Sequence, residues 1–191
     1  IQRFSPVMKQ QLVTMVSQGI QHAEIRLDPP ELGHMLVKIQ VHGDQTQVQF
    51  RYVQAFEVNQ QPALFYLHTG TGRNDPSGAL APYAADNGMI DTTLVFAYWP
   101  YVDKTSNTSV AVAGYLITPT GSYSSDRAIN MGENRYRWAG QIAYQTRIAP
   151  SLNWMAAFDT LWFGKNDASR SLTNQLGTLE QKALYSAQTG I

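Results

Sequence analysis

The sequence contains no cysteine, which excludes disulfide bonds and thiolate chemistry. Lys and Arg number 14, as do Asp and Glu, so the chain lacks the positive excess of a nucleic-acid-binding protein, and we expect no nucleic-acid partner. No apolar run approaches the roughly 18 residues that indicate a transmembrane helix. The chain begins at Ile1 without an initiator Met or a basic-then-apolar signal segment, which we interpret as a fragment of a longer protein.

Signals for a metal site are also scarce. His22, His34 and His42 lack the i,i+4 helical spacing of metal ligands, and no acidic residue stands at ligand spacing from them. Polar strand faces and turns account for these histidines better. We therefore expect no metal site and no bound cofactor.

Catalytic motifs are equally weak. Residues 70–75 resemble the start of a phosphate loop, but no Gly-Lys-Ser/Thr follows, so we interpret them as a surface loop. Asp159, with Lys165 and Asp167 nearby, is more typical of lumen or loop charges than of an acid/base pair. No Gly-x-Ser-x-Gly nucleophile setting is present. The sequence predicts that the protein is not an enzyme.

The composition changes abruptly near Arg51. All four tryptophans and all ten tyrosines follow residue 50, whereas three of the four histidines precede it. No Pro/Gly/Ser linker marks this change. We interpret the chain as a chimera of two unrelated pieces, residues 1–50 and 57–191, joined across 51–56. The alternative is a single protein whose halves differ by chance.

The first piece has the pattern of a helix followed by strands. Ser5 and Pro6 are a typical helix start, an apolar stripe with Met8 and Leu12 follows, and Gly19 is a typical stop, so a helix is predicted over residues 5–19. Alternating apolar residues then predict three strands, at residues 23–27, 35–41 and 48–52. The predicted fold class is mainly β: a small α+β N-terminal piece, helix plus three strands, followed by antiparallel, partial β-barrel-like strands.

A double-proline corner connects the first two strands. The stretch from Ile25 to Gly33 places Leu27, Pro29, Leu32 and Gly33 in a Leu-x-Pro-x-x-Leu-Gly pattern. It resembles the signature of the C-terminal domain of flagellar hook-length control proteins. The resemblance implies a protein-interaction role for these four residues, a flagellar export gate as partner, and a cytoplasmic or flagellar-secreted location. The alternative is that the prolines and the glycine only turn the chain.

Long strands with period-two alternation dominate the second piece. Strands are predicted at residues 92–99, 110–118, 135–147, 152–162 and 178–190, with a polar loop opening at 164–167. Tyr136, Trp138, Ile142 and Tyr144 fall on one face of the third of these strands, and Arg135, Arg137, Gln141, Gln145 and Arg147 fall on the other. An apolar outer face and a polar inner face are typical of a membrane β-barrel, and a soluble sandwich is the alternative.

Three landmarks in this piece support the membrane interpretation. They are Asp91 before a strand, the run from Thr118 to Tyr123 after one, and the run from Gly132 to Arg135 before the next. They resemble the meta-pathway phenol-degradation family of outer-membrane β-barrels. The resemblance implies an outer-membrane location, a lipid bilayer as partner, and passage of apolar or aromatic compounds.

Overall fold

The computed structural model describes residues 22–27, 34–42, 45–73, 87–127, 129–171 and 175–191. The helix predicted for residues 5–19 lies outside this part, and so do Pro29, Leu32 and Gly33. The described residues consist of strands, turns and loops, and no helix long and apolar enough to cross a membrane occurs among them. The small N-terminal α+β unit is therefore represented by its strands alone.

The described residues form twelve strands in chain order: β1 His22–Leu27, β2 His34–His42, β3 Gln45–Val58, β4 Gln61–Arg73, β5 Asn87–Met89, β6 Thr92–Asp103, β7 Thr108–Thr118, β8 Arg137–Ala149, β9 Leu152–Phe163, β10 Asn166–Arg170, β11 Leu176–Leu179 and β12 Leu184–Gly190. Most of them lie in one antiparallel sheet with the order β1-β2-β3-β4-β6-β7-β8-β9-β12. β5 pairs with the end of β4, and β10 and β11 form a separate hairpin. Within the described residues β1 and β12 each pair on one side, so this sheet is open.

Strand β3 runs through the region where the composition changes. It pairs with β2 from His42↔Gln45 to His34↔Val53, and with β4 from Gln49↔Gly70 to Val58↔Gln61. Residues 51–56 therefore lie inside one strand, and the sheet is continuous across them. The unbroken alternation of residues 47–53 predicts this continuity. The division into two domains of separate origin stays a prediction.

Several strand bounds differ from the prediction. The prediction of one strand over residues 178–190 is wrong, because residues 180–183 separate two strands, β11 and β12. The polar loop predicted from residue 164 is also wrong beyond residue 165, since buried Asn166 begins β10. The loop predicted over 70–75 is wrong for 70–73, which continue β4 by pairing with β3 and β5. These bounds depend on pairing between strands, which local composition does not reveal.

Short connections lie at one end of the sheet. The β3–β4 turn consists of Asn59 and Gln60, with φ of 51° and 63°, and two such left-handed residues fit the twist of a tight hairpin. Residues 104–107 join β6 to β7, and 150–151 join β8 to β9. From β4 onward, the connections at the opposite end are long, such as residues 119–136 between β7 and β8. We call this opposite end the loop end.

Exposure of apolar side chains differs between regions of the sheet. Buried apolar side chains among the described residues are Ile25, Val37, Ile39 and Ala63, whereas strands β7 to β9 expose large apolar side chains on one face. We call this surface the aromatic face: Val112, Leu116, Trp138, Ile142, Tyr144, Trp154, Phe158 and Trp162. The described residues contain no second sheet packed on it, and the sandwich alternative requires one.

Candidate functional site

The face opposite the aromatic face carries a hydrogen-bonded polar patch across four strands. Gln141 Nε2 donates to Asp159 Oδ1 at 2.5 Å, and Tyr115 Oη donates to Gln141 Oε1 at 3.4 Å. On β12, Ser186 Oγ and Gln188 Nε2 donate to Asp159 Oδ2 at 3.1 and 3.0 Å. The antiparallel register places these residues side by side, because Gln141 pairs with Asp159 and Asp159 with Ser186. We call this surface the polar face.

Basic groups lie farther along the same face. Arg51 on β3 pairs in register with His68 on β4, and the row continues through Thr93 and Ile117 to Arg137. Arg51 Nε and His68 Nε2 are buried and have no hydrogen-bond partner in the structure. The polar face therefore carries the guanidinium groups of Arg51 and Arg137 as well as the Asp159 carboxylate. The sequence pattern predicts no strand over residues 61–69, so it does not bring Arg51 and His68 together.

At the loop end, buried Asp91 holds three segments together. Its Oδ1 accepts a hydrogen bond from the Gly121 amide at 3.0 Å, and its Oδ2 accepts one from the Glu133 amide at 3.0 Å. Arg137 Nη2 lies 3.4 Å from the same Oδ2. A Cβ on Gly121 would come within 2.6 Å of the Gly132 Cα, so this contact requires glycine. The three landmarks of the barrel-family resemblance thus meet at one point.

Arg135 and Glu133 extend this network. Glu133 Oε2 accepts hydrogen bonds from Nε and Nη2 of Arg135, at 2.9 and 2.7 Å, and its Oε1 lies 2.7 Å from Arg137 Nη1. Arg135 also donates to Gln181 Oε1 and lies 4.7 Å above the centre of the Phe163 ring. The prediction that Arg135 belongs to strand β8 is wrong, because the strand begins at Arg137 and Arg135 is buried in the loop network.

Asn166 is the second buried anchor of the loop end. Its Nδ2 donates to the Tyr123 hydroxyl at 3.0 Å and to the Glu133 carbonyl at 2.9 Å. Its Oδ1 accepts hydrogen bonds from Asn134 Nδ2 and from the Ala168 amide. Both donors and both acceptor positions of the Asn166 side chain are therefore hydrogen-bonded. Asn166 therefore links the described part of the β7–β8 connection to the start of β10.

A cavity of about 340 Å³ lies among these connections, between the 119–136 segment and the β10–β11 hairpin. Arg127, Arg135 and Arg170 contribute to its lining, and Glu133 is the acidic residue among the lining residues. Tyr123, whose hydroxyl accepts a hydrogen bond from Asn166, also lines the cavity.

The remaining sequence candidates do not converge on a site. No three His, Asp or Glu side chains in the described ranges are grouped so that they could hold a metal ion. Asp159 bonds to polar neighbours on its own sheet, whereas Lys165 pairs with Glu180. The hydrogen bond from Lys165 to Glu180, together with the charge of that carboxylate, raises the pKa of Lys165 above its ordinary value. Of the double-proline motif, the structure places only Leu27, as the last residue of β1.

Two protein-family models match the chain. The model of the family described as MetA-pathway of phenol degradation matches residues 33–191. The model of the flagellar hook-length control protein FliK matches residues 9–55. The two matches overlap over residues 33–55, which are largely β2 and β3. No curated protein sequence matches the chain.

Among solved structures, the chain is similar to an outer membrane channel from Pseudomonas putida F1. The TM-score is 0.59 and the sequences are 22% identical over 82% of this chain. The match covers 54% of the channel, so the chain spans about half of its length. At this identity the likeness concerns the fold.

Proposed function

The chain belongs to the MetA-pathway of phenol degradation family, and from this premise we propose that it forms part of the wall of an outer-membrane channel. The aromatic face contacts lipid, and the polar face lines an aqueous lumen. The role is passage of solutes and not catalysis. The similarity to an outer membrane channel supports this proposal at the level of the fold.

The arrangement of side chains on the aromatic face is the observation that carries the proposal. Trp138 and Trp162 are register partners near the loop end, and Tyr144 packs edge-on against Trp154 near the short turns, with ring centres 6.0 Å apart. Trp154 and Trp162 are eight residues apart on β9, about 26 Å along a strand and about 20 Å in depth at a barrel-like tilt. Two aromatic belts at this separation suit the two interfaces of a bilayer.

Aliphatic and phenyl side chains fill the band between the belts. Val112, Ile142 and Phe158 are register partners across β7, β8 and β9, and each is between 38% and 51% exposed. Such a continuous apolar surface is unfavourable in water and favourable in a hydrocarbon layer. The short turns at one end and the long connections at the other are also typical of outer-membrane barrels, whose long loops face outward.

We extend the proposal to the solutes. The lumen surface combines aromatic rings such as Tyr66 and Tyr115 with polar groups, a surface that suits apolar or aromatic compounds carrying a polar group. A direct test reconstitutes a full-length channel containing this wall into vesicles and measures the uptake of phenol against that of glucose. Faster uptake of phenol than through protein-free vesicles supports the role, whereas equal phenol uptake with and without protein contradicts it.

Membrane contact is tested separately with the 191-residue chain. Refolded into vesicles whose acyl chains carry bromine, its tryptophans should be quenched because Trp138, Trp154 and Trp162 lie on the lipid face. Acrylamide in the water phase should quench them weakly. The reverse pattern, strong quenching by acrylamide and none by the brominated lipid, would place the aromatic face in water.

The match of residues 9–55 favours a second candidate function. In this candidate, Leu27, Pro29, Leu32 and Gly33 contact a flagellar export gate and help to switch export from hook to filament subunits. A pull-down of export-gate components with residues 1–58, compared with the variant Leu32→Asp, tests it. Capture that is independent of Leu32 would contradict this role for the motif.

A further inference from the structure

We infer that the cavity at the loop end binds the carboxylate of a small organic acid. The cavity lies between the 119–136 segment and the β10–β11 hairpin, and its volume of about 340 Å³ is in the size range of small-molecule sites. Its lining contains three arginines and one glutamate, so positive charges exceed negative ones by two. This local excess contrasts with the chain as a whole, in which acidic and basic residues balance.

The three arginines differ in how many of their N–H donors are already hydrogen-bonded to other groups of the protein. Arg170 donates to the Ser125 carbonyl at 2.6 Å and to Asp126 Oδ1 at 3.2 Å. Arg135 is committed to Glu133 and Gln181, although its Nη1 is buried without a hydrogen-bond partner. Arg127 is exposed, and its guanidinium forms no ion pair with any described residue. Arg127 is therefore the group with the most capacity for an incoming anion.

Backbone contacts hold Arg127 at the cavity independently of its side chain. Its amide donates to the Ser124 carbonyl at 3.2 Å, and its carbonyl accepts from Asn130 Nδ2 at 3.0 Å. Asn130 also accepts from the Ser124 amide, which closes a compact turn. These contacts hold the backbone of Arg127 in place, and its guanidinium, whose donors are free, suits a planar, bidentate carboxylate.

Apolar groups in the same lining select the rest of the ligand. Ile129 and Leu179 lie on the cavity wall, and the ring of Tyr123 is fixed there by its hydroxyl, which donates to the Ala168 carbonyl at 2.6 Å. A cavity with guanidinium groups and an apolar wall fits a carboxylate attached to a hydrocarbon group better than it fits a bare inorganic anion. The ligand class is therefore a small organic acid.

Calorimetric titration of the full chain in detergent micelles, at constant ionic strength and neutral pH, tests the inference with three probes. Benzoate supplies carboxylate and ring, benzyl alcohol supplies the ring alone, and inorganic phosphate supplies charge alone. We expect saturable binding of benzoate, and binding of the other two at least tenfold weaker. Equal binding of benzyl alcohol, tighter binding of phosphate, or no binding of benzoate would each overturn the inference.

Two matched variants locate the site. Arg127→Gln should weaken benzoate binding about tenfold, because it removes the free guanidinium and leaves the backbone turn intact. Arg147→Gln, an exposed arginine near the short turns, should leave benzoate binding unchanged. Equal effects of the two substitutions would refute the location. Because the titration needs no bilayer, its failure is distinguishable from failure of the membrane proposal, which the lipid-quenching experiment measures.

Discussion

The substitution Ile142→Arg tests whether the aromatic face contacts lipid or water. Ile142 is 51% exposed on the aromatic face and lies four residues from Trp138, about 13 Å along the strand and about 10 Å in depth at a barrel-like tilt. This depth is close to the middle of an apolar band about 25 Å tall, where an arginine costs about 2–4 kcal/mol. A cost of about 3 kcal/mol lowers the ratio of inserted to unfolded protein about a hundredfold. In water, the same exposed substitution would change the free energy of unfolding by about 0.5 kcal/mol or less.

The neighbouring position supplies the control. Gln141 points to the polar face beside Asp159, so the arginine of Gln141→Arg has a carboxylate within reach, and we expect a change of about 1 kcal/mol or less. Urea titrations of both variants folded in phosphatidylcholine vesicles, followed by tryptophan fluorescence, give the two free energies of unfolding. Equal losses for the two variants, or a loss below about 0.5 kcal/mol for Ile142→Arg, would refute the assignment of the faces.

Three further predictions concern the loop end and the sheet edges. Asp91→Ala should lower the free energy of unfolding by about 3–5 kcal/mol in urea titrations, because it leaves two backbone amides without an acceptor and removes one of the two carboxylate partners of Arg137. A loss below about 1 kcal/mol would contradict this role. Gly121→Ala should lower the midpoint temperature of thermal unfolding, because the added Cβ would collide with Gly132. The control Gly114→Ala should leave this temperature nearly unchanged, because no atom lies within 4 Å of the added Cβ. Equal shifts for the two variants would contradict the steric argument. The 191-residue chain alone should show no steady conductance in planar bilayers, because the described sheet is open at β1 and β12; steady single-channel currents from a monomer would contradict an open sheet.

The strands that sequence analysis predicted well share a strict period of two. The alternation over residues 92–99, 110–118 and 152–162 lies within β6, β7 and β9, and the alternation of residues 35–41 lies within β2. β4 was missed because Pro62 near its start and Gly70 near its end resemble loop signals. Gly70 instead allows a close backbone approach, since a Cβ there would lie 2.4 Å from the Val48 carbonyl oxygen.

Local sequence patterns do not predict the hydrogen-bond network around Asp91 and Asn166 at the loop end. Asp91 and Asn166 are 75 positions apart, and each is buried among residues from other connections. Their polarity predicts exposed loops, because an isolated polar residue is seldom buried. Only the hydrogen bonds made after folding offset the cost of their burial. The resemblance to a barrel family marked Asp91 and the 132–135 run as landmarks, but the contacts between them required the fold.

A spin-label scan of β8 reports which of its positions face lipid and which face water. Because the chain contains no cysteine, single cysteines can be placed at each position from 138 to 145 without a background label. In vesicles, we predict that labels at Trp138, Ile142 and Tyr144 meet oxygen dissolved in the bilayer and are shielded from a water-soluble nickel complex. Labels at residues 139, 141, 143 and 145 should show the opposite preference or low accessibility to both. Accessibility without a period of two, or exposure of positions 138, 142 and 144 to the nickel complex, would contradict a membrane-spanning sheet.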